Sequence, residues 1–192
     1  MTGNFQVNQI YRISSFIENQ ARGDGHIPFG LDSMTALKTI LFMLLVPGTF
    51  LVLLPYSLVG ADVALFSFGV FHWLAIPFWA AGAASMIWCA WAFTVRGRGT
   101  PWPTEPPKEL VVSGLYRYVR NPIYVGVVLF LLGYVFWYPT RAILPMPALV
   151  AVSAHLFVIF YEEPRLRKTF GAKYEEYCQA VPRWIPKLKK ME

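Results

Sequence analysis

Four long apolar runs divide the chain. Met34–Leu58 carries one charge, Lys38, near its start, and Val70–Val95 carries no Asp, Glu, Lys or Arg. Pro122–Tyr138 and Ala142–Tyr161 follow, separated only by Pro139, Thr140 and Arg141. A helix needs roughly 20 predominantly apolar residues to cross a bilayer core. At ~1.5 Å per residue the first run reaches about 37 Å, enough to cross with some tilt. The pattern predicts four spanning helices, with kinks at Pro47, Pro55 and Pro77. The last two should form a tight antiparallel hairpin.

The polar stretches have distinct characters. Residues 1–33 are irregular, with Val7, Ile10, Ser14 and Ile17 spaced for a short interfacial helix. They lack the basic, apolar and small-residue series of a signal peptide. Between the second and third runs, Pro101, Pro103, Pro106 and Pro107 forbid a continuous helix, which predicts a structured loop outside the hydrocarbon. After residue 161 the chain is basic and amphipathic, with Phe170, Tyr174, Tyr177 and Val181 spaced to share a helical face. Three parts result: a polar or interfacial segment 1–33, two transmembrane helices within 34–95, and a core 96–192 of loop, hairpin and tail.

Composition narrows the class. Of 192 residues, 56% are hydrophobic and 15% charged, against about 25% charged in an ordinary soluble domain. That excludes a disordered chain, a coiled coil and a typical cytosolic enzyme. Two cysteines exclude a disulfide scaffold. The net charge of +6 reads as topology rather than as affinity for nucleic acid. Three basic residues lie at or before the start of the first run, five in the loop from 96 to 121 and eight after 161, leaving only Arg141 for the opposite side. The positive-inside rule then places both termini and both polar segments in the cytosol. The expected fold is therefore all-α and multi-pass, with a cytosolic loop and a C-terminal amphipathic helix forming a site. The bilayer is a partner, and no metal centre is expected.

Candidate chemistry gathers on that cytosolic side. Glu162 and Glu163 end an apolar helix, where the macrodipole disfavours negative charge. Either they mark the membrane boundary, or one of them binds a cation. Consecutive helical residues point about 100° apart, so at most one should face inward. The stretch Gly114 to Gly126 combines Tyr116, Arg117, Tyr118, Arg120, Asn121, Pro122 and Tyr124, and Pro122 suits a helix start. Such residues anchor chains at membrane surfaces, and they also suit an adenine and a carboxylate. The aromatic face of the tail reads more readily as packing than as catalysis.

As an ordered set these residues resemble the isoprenylcysteine carboxyl methyltransferase and phospholipid methyltransferase family of integral membrane enzymes. The shared series is Leu110-Val111, Gly114-Leu-Tyr116, Arg120-Asn121-Pro122-Ile-Tyr124-Val-Gly126, Glu162-Glu163, Leu166, Phe170-Gly171, Tyr174, Tyr177 and Val181-Pro182. It covers about residues 96 to 188. The resemblance implies methyl transfer from S-adenosyl-L-methionine to a hydrophobic or lipid-like acceptor. It places the cofactor on Lys108, Glu109, Leu110, Val111, Tyr116, Arg120, Asn121, Pro122, Ile123, Tyr124 and Glu162. Catalytic roles would fall to Glu162, Arg183 and His155. Asn121 stands where the family usually has His, and it can hydrogen-bond but not titrate. Members that methylate a prenylcysteine carboxylate carry an Arg four residues before the cofactor-binding Glu. Here that position is Val158, which implies a neutral or amine-bearing acceptor. One turn further back, His155 either bonds a neighbouring helix or contacts and deprotonates the acceptor. Two alternatives stand beside this reading: an NADPH-dependent reductase similar to the sterol reductases, and a non-catalytic membrane scaffold.

Overall fold

A computed structural model describes residues 48–61, 63–95 and 110–186, with the single positions 41 and 45. The expectations for residues 1–33, for most of the first apolar run and for the proline-rich loop fall outside these residues. Among the described residues the fold is helical, and its β structure is one isolated antiparallel bridge between Ala64 and Thr140.

Helix α1 covers Leu54–Ala61 and grows out of a π-helical turn, Thr49–Leu53. Helix α2, Ala75–Val95, continues a 3₁₀ segment, Gly69–Leu74. Helix α3 is Pro122–Trp137. Helix α4, Met146–Phe157, runs through a second π turn, Val158–Glu162, into α5, Glu163–Phe170. Helix α6, Ala172–Ala180, completes the set.

Prolines explain where helix type changes. Proline cannot donate to the carbonyl four residues back, and its ring crowds that carbonyl. Before Pro55 and Pro164 the chain widens into a π turn, with Leu54 N–H reaching Thr49 O and Glu163 N–H reaching Val158 O. Pro77 falls in the first turn of α2, just past the 3₁₀ segment, where its missing N–H costs little. The hairpin also differs from its expected form. A turn over residues 141–145 delays α4 until Met146, and the Ile143 amide donates to the buried Thr140 hydroxyl at 3.2 Å.

Among the described residues, two helices are long and apolar enough to cross a membrane, Gly69–Ala92 and Met146–Phe170. Only 17% and 22% of their most apolar windows are buried. A soluble core helix would hide that surface, whereas here Ile87, Leu149 and Phe160 are among the exposed side chains. Thr49–Val59 and Pro122–Trp137 are shorter apolar helices.

Helices α2 and α3 lie antiparallel in the most extensive helix–helix contact among the described residues. Small residues allow it: Ser85 donates to Pro122 O at 3.0 Å, and a Cβ at Gly82 would sit 2.6 Å from Gly126 O. Gly82→Leu should therefore push the pair apart, at a cost of about 1–3 kcal/mol. The expected readout is a thermal midpoint in detergent lower by roughly 5 °C, with Ala81→Leu on the exposed side as an unchanged control. Equal midpoints for both variants would refute this contact.

Candidate active site

The site lies at the N-terminal end of α3, where three segments converge. Gly114 opens the first. Its φ of +61° is left-handed, and a Cβ there would press on the Trp88 indole at 2.6 Å. The turn sends Tyr116 into the core with Cys89, Ala92 and Val111. Tyr177 ties α6 to this turn by donating to Tyr116 O at 2.7 Å. Burial pushes the Tyr177 phenol up, so it stays protonated and remains a donor.

The second segment is the tail. Gly171, at φ +54°, ends α5 and starts α6, so Phe170 and Tyr174 stand on different helices rather than on one. They still meet: Tyr174, Tyr177 and Val181 bury against Val112, with Leu110, Leu166 and Phe170 around them. Beyond α6, residues 181–186 form a strap across the start of α3. Arg120 N–H donates to Pro182 O at 2.9 Å, and Asn121 Nδ2 donates to Arg183 O at 3.2 Å.

The third segment is the junction of α4 and α5. Here the two adjacent acids take different partners. Glu163 is almost fully buried and accepts two bonds from Arg183, Nε at 2.6 Å and Nη2 at 3.0 Å. Arg120 Nη1 stands 3.2 Å from the same carboxylate, and Arg167 Nη2 stands 3.5 Å away. The hydrogen bond to Glu163 raises Arg183 further above its ordinary value. Glu162 instead accepts from the Tyr124 hydroxyl at 3.1 Å. One acid is thus committed to holding the strap, and the other faces the start of α3.

Beside Tyr124 opens an apolar cavity of about 420 Å³ between α3 and α4. Val125, Val128, Leu129 and Val152 supply its walls, and Tyr124, His155 and Trp184 stand at one end. Trp184 Nε1 donates to His155 Nδ1 at 3.0 Å, and its ring meets Tyr124 edge-on at 6.4 Å.

The expected site residues therefore divide. Tyr124 and Glu162 come together, and His155 lines the adjoining cavity. Arg183 contacts Glu163 rather than Glu162. Asn121 holds the strap, and Arg120 divides its donors between Glu163 and Cys178 Sγ at 2.6 Å. Leu110, Val111 and Ile123 pack their side chains into the core. Pro122 is buried at the start of α3. Lys108 and Glu109 lie outside the described residues. Val158 is fully buried and absent from the cavity lining. Sequence reasoning missed Trp184 as a site residue and Glu163 as the centre of the ion cluster.

Comparison with known proteins bears on this arrangement directly. Residues 70–173, from the 3₁₀ segment before α2 into α6, match the phospholipid methyltransferase family model. The chain belongs to this family. Two curated relatives are named probable protein-S-isoprenylcysteine O-methyltransferase, from Oryza sativa subsp. indica and subsp. japonica. Each is 35% identical over 88 residues, 43% of this chain and 43% of the relative. The protein-S-isoprenylcysteine O-methyltransferase B of Arabidopsis thaliana is 32% identical over 88 residues, 43% of this chain and 42% of its own length. The chain thus spans less than half the length of the curated relatives it matches. No solved structure matches. The family model includes Tyr124, Glu162 and Glu163, while the strap and Trp184 lie beyond it.

Proposed function

We propose that the protein is an integral membrane methyltransferase that uses S-adenosyl-L-methionine and acts on a hydrophobic or lipid-like acceptor. The observation that carries this reading is the Tyr124–Glu162 hydrogen bond, in which Tyr124 also lines an apolar cavity, in a chain of the phospholipid methyltransferase family. The donor set fits the cofactor. Glu162 offers a carboxylate to its cationic groups and Tyr124 an aromatic face. Arg120 Nε is buried with no hydrogen-bond partner among the described residues, an unused donor that suits a carboxylate. When bound, S-adenosylmethionine supplies an electrophilic methyl whose bond to sulfur breaks as the bond to the acceptor forms.

The residues of this chain position and desolvate more than they transfer protons. Glu162 and Tyr124 hold the donor end. Val125, Val128 and Leu129 keep water from the acceptor end. The strap, fixed by Arg183 on Glu163, carries Trp184 between the two. An acceptor dissolved in lipid enters sideways between α3 and α4, and the cofactor enters from the cytosol.

This reading carries a topology of four spans, near 34–58, 70–95, 122–138 and 142–161, with both termini cytosolic. The distribution of basic residues supports it. Single-cysteine labelling in sealed vesicles, after replacement of Cys89 and Cys178, should find positions 100–110 reactive from the cytosolic side alone. Labelling of those positions only from outside would overturn the topology and the cytosolic site together.

The acceptor in this reading is neutral or amine-bearing. Among the described residues no Lys or Arg lines the cavity, and burying an unpaired carboxylate there would be costly. Purified protein should bind S-adenosylmethionine and its demethylated product, show no stimulation by NADPH, and turn over N-acetyl-farnesylcysteine slowly or not at all. Tight NADPH binding without S-adenosylmethionine binding would favour a reductase instead.

A further inference from the structure

The outward face of the α4–α5 helix has no part in the reading above. Met146–Phe170 runs as one helix through the π turn. Its acids turn inward: Glu163 is buried among the arginines, and Glu162 accepts from Tyr124. What remains outside changes character along the axis. Leu149, Leu156 and Phe160 stand seven and four residues apart, share a face and are all exposed, Phe160 by 76%. Tyr161 follows, also exposed, an amphipathic ring of the kind that settles at a membrane interface. One turn on stand half-buried Arg165 and exposed Lys168, three residues apart and so neighbours on the helix surface. Apolar, amphipathic, cationic is the order a helix presents where it leaves hydrocarbon through a head-group layer.

Arg165 fixes the depth of that layer. Helical side chains lean toward the N-terminus, which here is toward the apolar end. Arg165 Nη1 donates to the Tyr161 hydroxyl at 3.1 Å, and its Cζ lies 5.9 Å from the Tyr161 ring centre. The guanidinium is thus drawn one turn back, to the level of the exposed ring, rather than extended into water. We propose that Tyr161, Arg165 and Lys168 form a docking site for an anionic phospholipid of the leaflet on the active-site side. Its phosphate takes the fork of guanidinium N–H donors and the Lys168 ammonium. Its acyl chain lies along Leu156 and Phe160. Charge complementarity selects the head group. A choline or ethanolamine head would bring its own cation against Arg165 and Lys168, whereas a glycerol-type head leaves the phosphate charge uncompensated. A soluble phosphate would gain nothing from Leu156 and Phe160. This lipid is distinct from the methyl acceptor, because Leu149, Leu156 and Phe160 are absent from the cavity lining. The inference rests on the membrane part of the reading above and requires neither cofactor nor turnover.

Native mass spectrometry of the full-length protein, titrated in detergent with dioleoylphosphatidylglycerol or dioleoylphosphatidylcholine, tests it. The first phosphatidylglycerol should bind roughly twentyfold tighter than the first phosphatidylcholine, as two cations at a lipid surface imply. Arg165→Gln and Lys168→Gln should each lower that preference about fivefold, and the double substitution should erase it. Lys173→Gln, which removes an exposed cation of α6, should leave it unchanged. Lys168 is exposed, so Lys168→Gln carries the test even where Arg165→Gln lowers the thermal midpoint. Glycerophosphoglycerol and inorganic phosphate, in large excess, should not compete. Competition by either would make this a free-phosphate site and overturn the lipid assignment. Equal affinity for the two lipids in wild type would overturn the proposal. So would a preference that survives the double substitution, or one that falls as far in Lys173→Gln. Retention of neither lipid would refute the membrane reading itself. Failure of the wild type to bind S-adenosylmethionine, with the lipid preference intact, would instead refute the methyltransferase reading and leave the docking site standing.

Discussion

Glu163→Gln is expected to cost roughly 3 kcal/mol of stability and to release residues 181–186 from the start of α3. The carboxylate is 3% exposed and faces three guanidiniums, Arg120, Arg183 and Arg167. Removing one partner of a buried ion pair typically costs about 3–5 kcal/mol, because the remaining charge is left uncompensated. The lower end applies here. Arg120 is 10% exposed, but Arg183 is 30% and Arg167 44% exposed, so water reaches two of the three. Gln keeps the shape and can still accept one bond, which separates the loss of charge from the loss of packing. Arg183→Lys should fall between, since Lys keeps the charge but loses the two-pronged contact. Arg167→Gln should cost less than about 1 kcal/mol, as expected for an exposed pair. Unfolding in detergent gives the stabilities, and amide hydrogen exchange at residues 181–186 reads the strap. A Glu163→Gln midpoint equal to wild type would remove the ion cluster as the fastening of this site.

Reading the chain alone reached the helical class and the two acids because both depend on local pattern. Long apolar runs and a one-sided charge distribution are visible residue by residue. That the two acids point different ways follows from helical rotation; which of them takes the arginines was not visible in that way. It depends on the π turn Val158–Glu162, which departs from the 100° rotation of a regular helix. Pro164 was the available signal, since a proline just past an apolar helix forces its carbonyls to find other partners. The partners of Glu163 were harder still. Arg167 is one turn away and legible as an i,i+4 pair, but Arg120 and Arg183 arrive from other segments. The same holds for Trp184 and His155, which are distant in the sequence and meet only because the strap folds back over α3. The aromatic face after Phe170 was legible as a buried face although Gly171 breaks the helix, because the packing survives the change of axis.

Glu162→Gln is expected to weaken S-adenosylmethionine binding by about ten- to a hundredfold while leaving the fold intact. One charge-assisted hydrogen bond contributes roughly 1.5–3 kcal/mol, and each ~1.4 kcal/mol is tenfold in affinity. The effect on the fold should be small because Glu162 takes no part in the arginine cluster. Its bond in the structure comes from Tyr124 at 3.1 Å, and a Gln carbonyl can accept that bond as well. The twin substitutions therefore separate two roles carried by adjacent residues: Glu163→Gln moves the unfolding midpoint, and Glu162→Gln moves the binding constant. Tyr124→Phe refines the point. It removes the donor to Glu162 but keeps the ring, so it should lower affinity by only a few-fold, as loss of one neutral donor implies. Calorimetry in detergent, with S-adenosylmethionine and its demethylated product, supplies the constants, and thermal unfolding of the same samples supplies the control. Equal affinity in wild type and Glu162→Gln would take Glu162 out of the cofactor site. A midpoint that falls together with the affinity would show that Glu162 belongs to the fold as Glu163 does.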